Sequence, residues 1–305
     1  MLNLQDIPEY SIFTKMELID KGWSGDKKFY IETDTCERLL LRIADISKRA
    51  QKQSEYDMLK RVAALDIPAP RPINFGVCNE GKSVYQLLTW VDGEDLSVVL
   101  PKISGEEQYL LGVKAGALQR RLHTIPVQND FEDWSTWYGR RVQEKLELYF
   151  AYEQELSVLK PCVDYLMQQK DLLLHRPQTF HHGDFNPTNI VLMPEGELAA
   201  IDFNDCGRNG CDPVWEFCTI PYGQNPNAFY YTGLLNGYYD GEPPQAEFAV
   251  LAYYFAWEAL YGMVDARVDD FMAEDSRRHM ENVLEWYDNM RNVVPSWYMA
   301  STWPE

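Results

Sequence analysis

The segment HGDFNPTN, residues 182–189, contains the residues from which the fold and function of the chain are inferred. Asp184 and Asn189 stand five positions apart within it. Gly183 and Pro187 are incompatible with a regular helix or strand over the same residues. We therefore expect a loop that holds a carboxylate and a carboxamide close together.

The residues after this loop predict a β-hairpin. Two apolar runs, Ile190–Met193 and Leu198–Ile201, flank the turn sequence PEGE at residues 194–197. With a loop of either two or four residues, Asn189 pairs with Asp202. Directly opposed residues have Cβ atoms about 4.5–5.5 Å apart, close enough for an amide and a carboxylate to hold one divalent cation. The register therefore predicts a Mg²⁺ site at Asn189 and Asp202.

The remaining carboxylate of the segment suits phosphoryl transfer. A hard cation with two protein ligands keeps open positions for phosphate oxygens. Asp184 is placed to orient a substrate hydroxyl and accept its proton, and His182 would steady the loop. In isolation these residue types are typical of any turn. Their conjunction with Ile-Asp-Phe at 201–203 and Cys-Asp-Pro at 211–213 favours a catalytic site.

Periodicity predicts β-strands first and helices afterwards. The interruption DGED at residues 92–95 separates the two parts, so we place a boundary near residue 90. The expected strands are Phe29–Thr33, Leu39–Ala44 and Val84–Trp90, with a helix from Ser47 to about Leu65. The expected later helices are 104–123, 140–175, 245–265 and 275–292.

The motifs resemble the signature of the aminoglycoside phosphotransferase and choline kinase family, which is related more distantly to protein kinases. Besides HGDFNPTN, the resemblance rests on IDFNDCGRNGCDPVWEF (201–217), IPAPRPINFG (67–76), LLTWVDGEDL (87–96) and QRRLHTIP (119–126). It implies Asp184 as catalytic base, Asn189 and Asp202 as Mg²⁺ ligands, and Asp212 as a structural acid.

The fold that we expect is a protein-kinase-like, two-lobed α+β fold. Residues 1–90 would form a nucleotide-binding N-lobe, with a small antiparallel β-sheet and one helix. Residues 91–305 would form a large, mostly helical C-lobe with the catalytic loop, the metal site and substrate-binding helices. The expected reaction is Mg²⁺-dependent transfer of the γ-phosphoryl group of ATP or GTP to a hydroxyl, and the motifs do not distinguish the two nucleotides.

Nucleotide-binding residues are expected in the first part of the chain. Arg42 stands in the strand where a kinase-like fold offers a lysine to the phosphates, and its guanidinium fork can clamp phosphate with different geometry. Its expected helix partner is Glu55. The alternative is a solvent-facing arginine and a glutamate on a helix surface.

A loop at residues 21–26, with Ser24 and Gly25, would bind the phosphates through close backbone approach. The resemblance places the base near Leu88 and Trp90.

Charge indicates the class of acceptor. With 28 Lys and Arg against 47 Asp and Glu, the net charge of −19 argues against nucleic acid and anionic membranes as partners. Residues 211–305 hold fifteen acidic and four basic side chains. This charge fits an aminoglycoside, and the expected partner is a cationic or polyhydroxylated small-molecule substrate. The candidate substrate residues are Glu216, Glu258, Asp265, Asp269 and Asp270. The alternative interpretation is an ordinary solvated acidic surface.

Other functions remain open from the sequence. Aromatic residues in the same third could form a cage for choline, and a macrolide or an amino alcohol is a further alternative. A catalytically silent nucleotide-binding module is suggested by Arg42 alone. A two-metal phosphohydrolase would need more His and Asp ligands.

The N-terminus does not resemble a leader peptide, and the sequence has no apolar run of about 18–20 residues, so we expect a cytoplasmic protein. If the enzyme acts on an antibiotic, we expect a role in resistance.

Overall fold

The computed structural model describes residues 3–20, 25–127, 132–204, 210–220, 224–266 and 273–299. The chain divides into two compact units, within which the residues contact one another extensively, and each unit is made of two segments. Unit 1 is Met1–Val99 with His182–Arg208, and unit 2 is Leu100–His181 with Asn209–Glu305. The boundary near residue 90 remains a prediction about domains. The loop at residues 182–189 and the hairpin after it belong to unit 1, and the hairpin pairs with a strand at residues 94–95.

Unit 1 is built on an antiparallel sheet and one long helix. In its described part, the elements are β1 (Phe13–Ile19), β2 (Lys27–Thr33), β3 (Arg38–Asp45), α1 (Arg49–Ala63), β4 (Pro72–Cys78) and β5 (Ser83–Thr89). The sheet order is β1-β2-β3-β5-β4. The helix begins later than expected because Asp45 accepts a hydrogen bond from the Ser47 N–H and caps a short 3₁₀ turn before it. These elements agree with the α+β class.

A second, smaller sheet carries the hairpin. It consists of β6 (Glu94–Asp95), β7 (Ile190–Leu192) and β8 (Leu198–Ala200), in that order, and the short helix α2 (Leu96–Val99) follows β6. The backbone N–H of Ala200 donates to the carbonyl of Pro68, 3.0 Å away. This bond joins the second sheet to the segment between α1 and β4.

The two faces of the large sheet have different neighbours. Alternation along the strands places Ile31, Leu39, Leu41 and Leu87 on one face, where they pack with the N-terminal Leu4 and Ile7 into a buried apolar cluster. The opposite face carries Lys28, Arg42 and Gln86 in one cross-strand row. The Gln86 side chain donates to the carbonyl of Lys52 in α1, at 2.7 Å. Polar groups are therefore gathered on the helix side.

Unit 2 is helical in its described residues. Its helices are α3 (Gly105–Leu122), α4 (Trp134–Ala151), α5 (Lys160–Gln168), α6 (Ala228–Tyr239), α7 (Gln245–Asp265) and α8 (Ala273–Trp286). Ser104 and Glu107 form a capping box at the start of α3. None of the helices described has both the length and the apolar character needed to span a bilayer.

Candidate active site

Asp184 is an exposed residue, and its carboxylate is oriented by two side-chain amides. The Asn186 Nδ2 donates to one carboxylate oxygen at 2.6 Å, and the Asn189 Nδ2 donates to the other at 2.7 Å. Asn189 also donates to the Asp184 carbonyl at 3.0 Å. Both oxygens of an exposed acid are thus held in one orientation, as a group that receives a proton requires.

Asn186 is a residue of this site that the sequence interpretation did not single out. Its side-chain oxygen accepts from the Thr188 N–H at 2.9 Å and from the Thr188 hydroxyl at 2.5 Å. These bonds use the oxygen and direct the amide hydrogens toward Asp184. An Asn immediately before a proline-containing turn was the available signal, because Asn commonly caps such turns.

His182 braces the loop from behind. Its Nδ1 accepts from the backbone N–H of Asp184 at 3.2 Å, so Nε2 carries the hydrogen and donates to the carbonyl of Ile201 at 2.8 Å. The ring is completely buried and packs on Phe203 with centroids 4.3 Å apart. These two bonds join the backbone of the loop at Asp184 to the backbone of the hairpin at Ile201.

The register predicted for the hairpin is wrong by one residue. Ile190 pairs with Ala200, and Asn189 lies opposite Ile201, whose N–H donates to the Asn189 carbonyl at 2.9 Å. The turn closes between Met193 and Glu197 with three residues, and Gly196 has a φ of +82°. A loop of three residues with glycine in the left-handed region is a common hairpin turn and shifts the pairing relative to loops of two or four.

Asp202 therefore comes directly after the hairpin. Its own φ of +61° turns the chain there. One carboxylate oxygen lies 2.8 Å from the Arg42 guanidinium, and the other lies 3.1 Å from the Lys28 ammonium. Partial burial opposes ionisation, but the positive charges of Arg42 and Lys28 outweigh it and hold the pKa of this carboxyl below its usual value.

The expected direct pair between Arg42 and Glu55 is not formed. The guanidinium of Arg42 instead lies 3.3 Å from Asp26, Asp26 lies 2.7 Å from Lys52, and Lys52 lies 2.8 Å from Glu55. The strand cation and the helix carboxylate are thus linked through an inserted Asp–Lys pair. A buried arginine needs a carboxylate partner, and Arg42 has two, Asp202 and Asp26. Arg42 is buried, which excludes the alternative of a solvent-facing arginine.

A row of apolar and aromatic side chains runs beside these charges. Tyr30 pairs with Leu40, and Leu40 pairs with Leu88, so the three share the sheet face of Lys28 and Arg42. The Trp90 ring packs edge-on against Tyr30 with centroids 5.0 Å apart. The residues predicted near the base, Leu88 and Trp90, therefore adjoin the residues predicted near the phosphates.

A cleft of about 750 Å³ begins at Trp90 and is lined further by Val91 and the turn of the β7–β8 hairpin. Within the described residues, its lining does not include Asp184, Asn189 or Asp202. The cleft is therefore not part of the candidate active site.

The predicted phosphate loop, residues 21–26, is described only in part. Ser24 lies outside the described residues, and Gly25 adopts a φ of +67°.

The acidic candidates of unit 2 fall into three groups. Glu216 is buried and accepts from the His123 ring at 2.8 Å and from Gln119 at 3.4 Å, so it is not accessible to a substrate and that expectation is wrong. Glu258 and Asp265 are half-buried and seven residues apart on α7, hence on one helix face. Asp265 pairs with Lys145. Asp269 and Asp270 lie outside the described residues.

Solved structures with the same fold come from several kinds of kinase. A choline/ethanolamine kinase family protein from Mesorhizobium loti aligns with a TM-score of 0.59 at 18% identity, covering 95% of each chain. Wild-type aminoglycoside 2′-phosphotransferase-IIIa, as its GDP complex, aligns with a TM-score of 0.62 at 14% identity, covering 91% of this chain and 94% of that one. An amicoumacin kinase with AMP-PNP, Ca²⁺ and its ligand aligns at 0.57 and 15% identity, covering 96% and 92%. The protein-kinase-like fold is thereby confirmed.

Comparison of sequences identifies the family of the chain, which the structural likeness alone does not. No curated protein matches it significantly. A family model described as the phosphotransferase enzyme family matches residues 15–254, well over half of the chain, including Arg42, Asp184, Asn189 and Asp202. The match confirms the resemblance of the motifs and the prediction of an enzyme that transfers a phosphoryl group to an alcohol. The chain belongs to the phosphotransferase enzyme family.

Proposed function

We propose that the protein transfers the γ-phosphoryl group of ATP or GTP, as the Mg²⁺ complex, to a hydroxyl of an aminoglycoside-like antibiotic. The observation that carries this proposal is the exposed Asp184, whose carboxylate is oriented by Asn186 and Asn189 at 2.6 and 2.7 Å. A carboxylate held in this way can orient an acceptor hydroxyl and accept its proton as the oxygen–phosphorus bond forms.

The donor atoms fit a hard divalent cation. Asn189 uses its side-chain amide nitrogen to hold Asp184, which leaves its side-chain oxygen Oδ1 for a ligand, and Asp202 offers carboxylate oxygens. Oxygen donors of this kind suit Mg²⁺, and the remaining coordination positions suit phosphate oxygens and water. The bound ion would neutralise charge on the phosphoryl group during transfer.

The nucleotide would lie along the helix side of the large sheet. Tyr30 and Leu40 are half-buried and offer apolar surface to a base, whereas Leu88 of the same row is buried beneath them. The row of Lys28 and Arg42, two residues along, offers cations to the phosphates. Two residues along a strand correspond to roughly 6.6 Å. This arrangement supports the predicted nucleotide site, with Glu55 holding Lys52 rather than Arg42.

The proposal of a cationic acceptor rests on the acidic charge of the last third of the chain. Residues 211–305 carry fifteen acidic against four basic side chains, and Glu258 and Asp265 are the described candidates that keep exposed surface. These residues would attract the amines of a polycationic acceptor.

Choline is less well supported, because cations of the chain already contact the aromatic rings. Arg141 lies 4.9 Å from the Trp137 ring and 5.6 Å from the Trp257 ring, and Lys145 lies 4.6 Å from the Tyr261 ring. A quaternary ammonium would have to displace them. A macrolide or an amino alcohol remains the alternative acceptor.

The testing experiment measures Mg²⁺-dependent turnover with ATP and with GTP against aminoglycosides, macrolides, choline and amino alcohols, with product mass to locate the added phosphate. Asp184→Asn should lower turnover by about 10²–10⁴-fold, since it removes the proton acceptor with little change of shape. The control is Asp57→Asn, an exposed acid on α1. Asp184→Asn activity within a few-fold of wild type would refute the base assignment. Phosphorylation of another acceptor class alone would refute the aminoglycoside assignment.

A further inference from the structure

We propose that Lys28 binds the nucleotide phosphates together with Arg42, and that Asp202 holds both cations as their shared counter-ion until the metal–nucleotide complex binds. This inference rests on the proposed function, which it extends by a residue on a second strand. Neither the motifs nor the position of Arg42 in the chain pointed to Lys28.

The geometry of the sheet places the two cations side by side. Lys28 and Arg42 are direct cross-strand partners in β2 and β3, so their side chains share one face. Each contacts a different oxygen of the Asp202 carboxylate, Lys28 at 3.1 Å and Arg42 at 2.8 Å. Only 14% of the Lys28 side chain and 9% of the Arg42 side chain are exposed.

Arg42 is constrained by a second carboxylate. Its guanidinium also lies 3.3 Å from Asp26, which is itself held at 2.7 Å by Lys52. A planar guanidinium that contacts carboxylates on two sides has little freedom to follow a phosphate group. Arg42 therefore supplies a fixed charge.

Lys28 has the freedom that Arg42 lacks. Among the described residues, its ion pair is with Asp202 alone. The ammonium is a compact charge on a flexible stem with three donors. A divalent cation that binds the Asp202 oxygens takes away this partner, and a nearly buried ammonium without a counter-ion favours phosphate oxygens strongly. Lys28 can then act where a strand lysine would be expected at position 42.

The first test is the affinity of Lys28→Met for the Mg²⁺ complexes of ATP, GTP, ADP and GDP, and for adenosine and guanosine, by calorimetry. Loss of a charged hydrogen bond should weaken triphosphate binding by about tenfold or more and leave nucleoside binding unchanged. Lys27→Met is the matched control, because Lys27 is the exposed neighbour on the other face of β2. Lys28→Arg keeps the charge and should recover most of the affinity. Lys28→Gln serves as a second polar replacement if the Met variant is unstable.

The second test removes the counter-ion. With metal chelated by EDTA, Asp202→Asn should bind ATP or GTP about tenfold more tightly than wild type, because both cations lose their carboxylate partner. Adding Lys28→Met to Asp202→Asn should abolish this gain. A gain that persists in the double variant would overturn the role of Lys28.

The outcomes separate the two proposals. Wild-type protein that binds and uses a nucleotide while Lys28→Met binds it equally well overturns this inference and leaves the proposed function standing. A loss of the same size for nucleosides and triphosphates also overturns it, because Lys28 would then only support the fold. Wild-type protein that binds neither nucleotide overturns both.

Discussion

Asp212 is a fully buried carboxylate whose charge is compensated on every side that the structure describes. Arg176 donates to its two oxygens at 2.6 and 3.0 Å, and the Tyr254 hydroxyl donates at 2.7 Å. The backbone N–H of Val214 adds a bond of 2.9 Å. The resemblance implied a structural acid at this position, and the contacts agree. Burial of such a charge is tolerated only because these donors are present.

We expect Asp212→Ala to destabilise the protein by about 3–5 kcal/mol, because it leaves the Arg176 guanidinium with an unpaired face beside buried groups. The measurement is the free energy of unfolding from urea titration. Asp57→Ala, which removes an exposed pair with Lys60, should change that free energy by less than about 0.5 kcal/mol. Equal effects of the two substitutions would contradict the structural role of Asp212.

Helices α3 and α6 approach each other through glycines. A Cβ on Gly112 or Gly116 would lie 2.1 or 2.0 Å from carbonyl oxygens of α6, and one on Gly233 or Gly237 would lie 2.2 or 2.1 Å from carbonyl oxygens of α3. The obstacles are backbone atoms, which cannot rotate away as a side chain can. Small residues spaced by four on both helices thus set the distance between them.

Gly116→Ala should therefore lower the unfolding free energy by about 1–3 kcal/mol, because the helices must separate. Gly139→Ala provides the matched control within α4, where a Cβ meets no atom within 4 Å. That control should stabilise the protein by about 0.5–1 kcal/mol, since alanine favours the helix over glycine. Urea titration distinguishes the two, and stabilisation by both would contradict the close packing of α3 and α6.

Charge is distributed unevenly over the chain as a whole. The net charge is −19, and the last 95 residues, 211–305, hold fifteen acidic and four basic side chains. A field of this size attracts cations over a distance limited by the Debye length, which falls from about 30 Å at 0.01 M salt to about 8 Å at 0.15 M. Salt therefore tests the proposed acceptor class.

We expect kcat/KM for a polycationic aminoglycoside to fall several-fold between about 0.01 and 0.15 M NaCl, as screening weakens its attraction to the acidic residues. The same constant for an acceptor with a single amine should change less. Measuring both at a saturating nucleotide concentration removes the salt dependence of nucleotide binding. Equal salt dependence for the two acceptors would contradict recognition by charge.

The regular elements were predicted where periodicity is strong. The strands around Phe29–Thr33, Leu39–Ala44 and Val84–Trp90 and the capped helix after Ser104 are present. The helix predicted over 140–175 is instead two helices, with Pro161 in the first turn of the second. Helix α6 was not predicted, because it is apolar over most of its surface and carries two glycines.

The candidate site was predictable in part. The positions of Asp184, Asn189 and Asp202 follow from a loop and a hairpin that are local in the chain, and their roles remain predictions. The predicted hairpin register was wrong because it assumed a loop of two or four residues, whereas the turn closes with three and places Gly196 in the left-handed region. The contribution of Asn186 was visible only once its side-chain bonds to Thr188 and Asp184 were known.

The order of residues by itself was sufficient for the family, the fold class and the acid–amide–acid motif, because each motif and each periodic segment is a short run of neighbouring residues. The ion pairs of the site depend on residues far apart in the chain: Lys28 and Asp202 are 174 positions apart. The insertion of Asp26 and Lys52 between Arg42 and Glu55 likewise requires α1 to pack on the sheet. Burial determines which residues form these ion pairs, because a charge removed from water is stable only beside an opposite charge, and the packed structure decides which opposite charge is nearest.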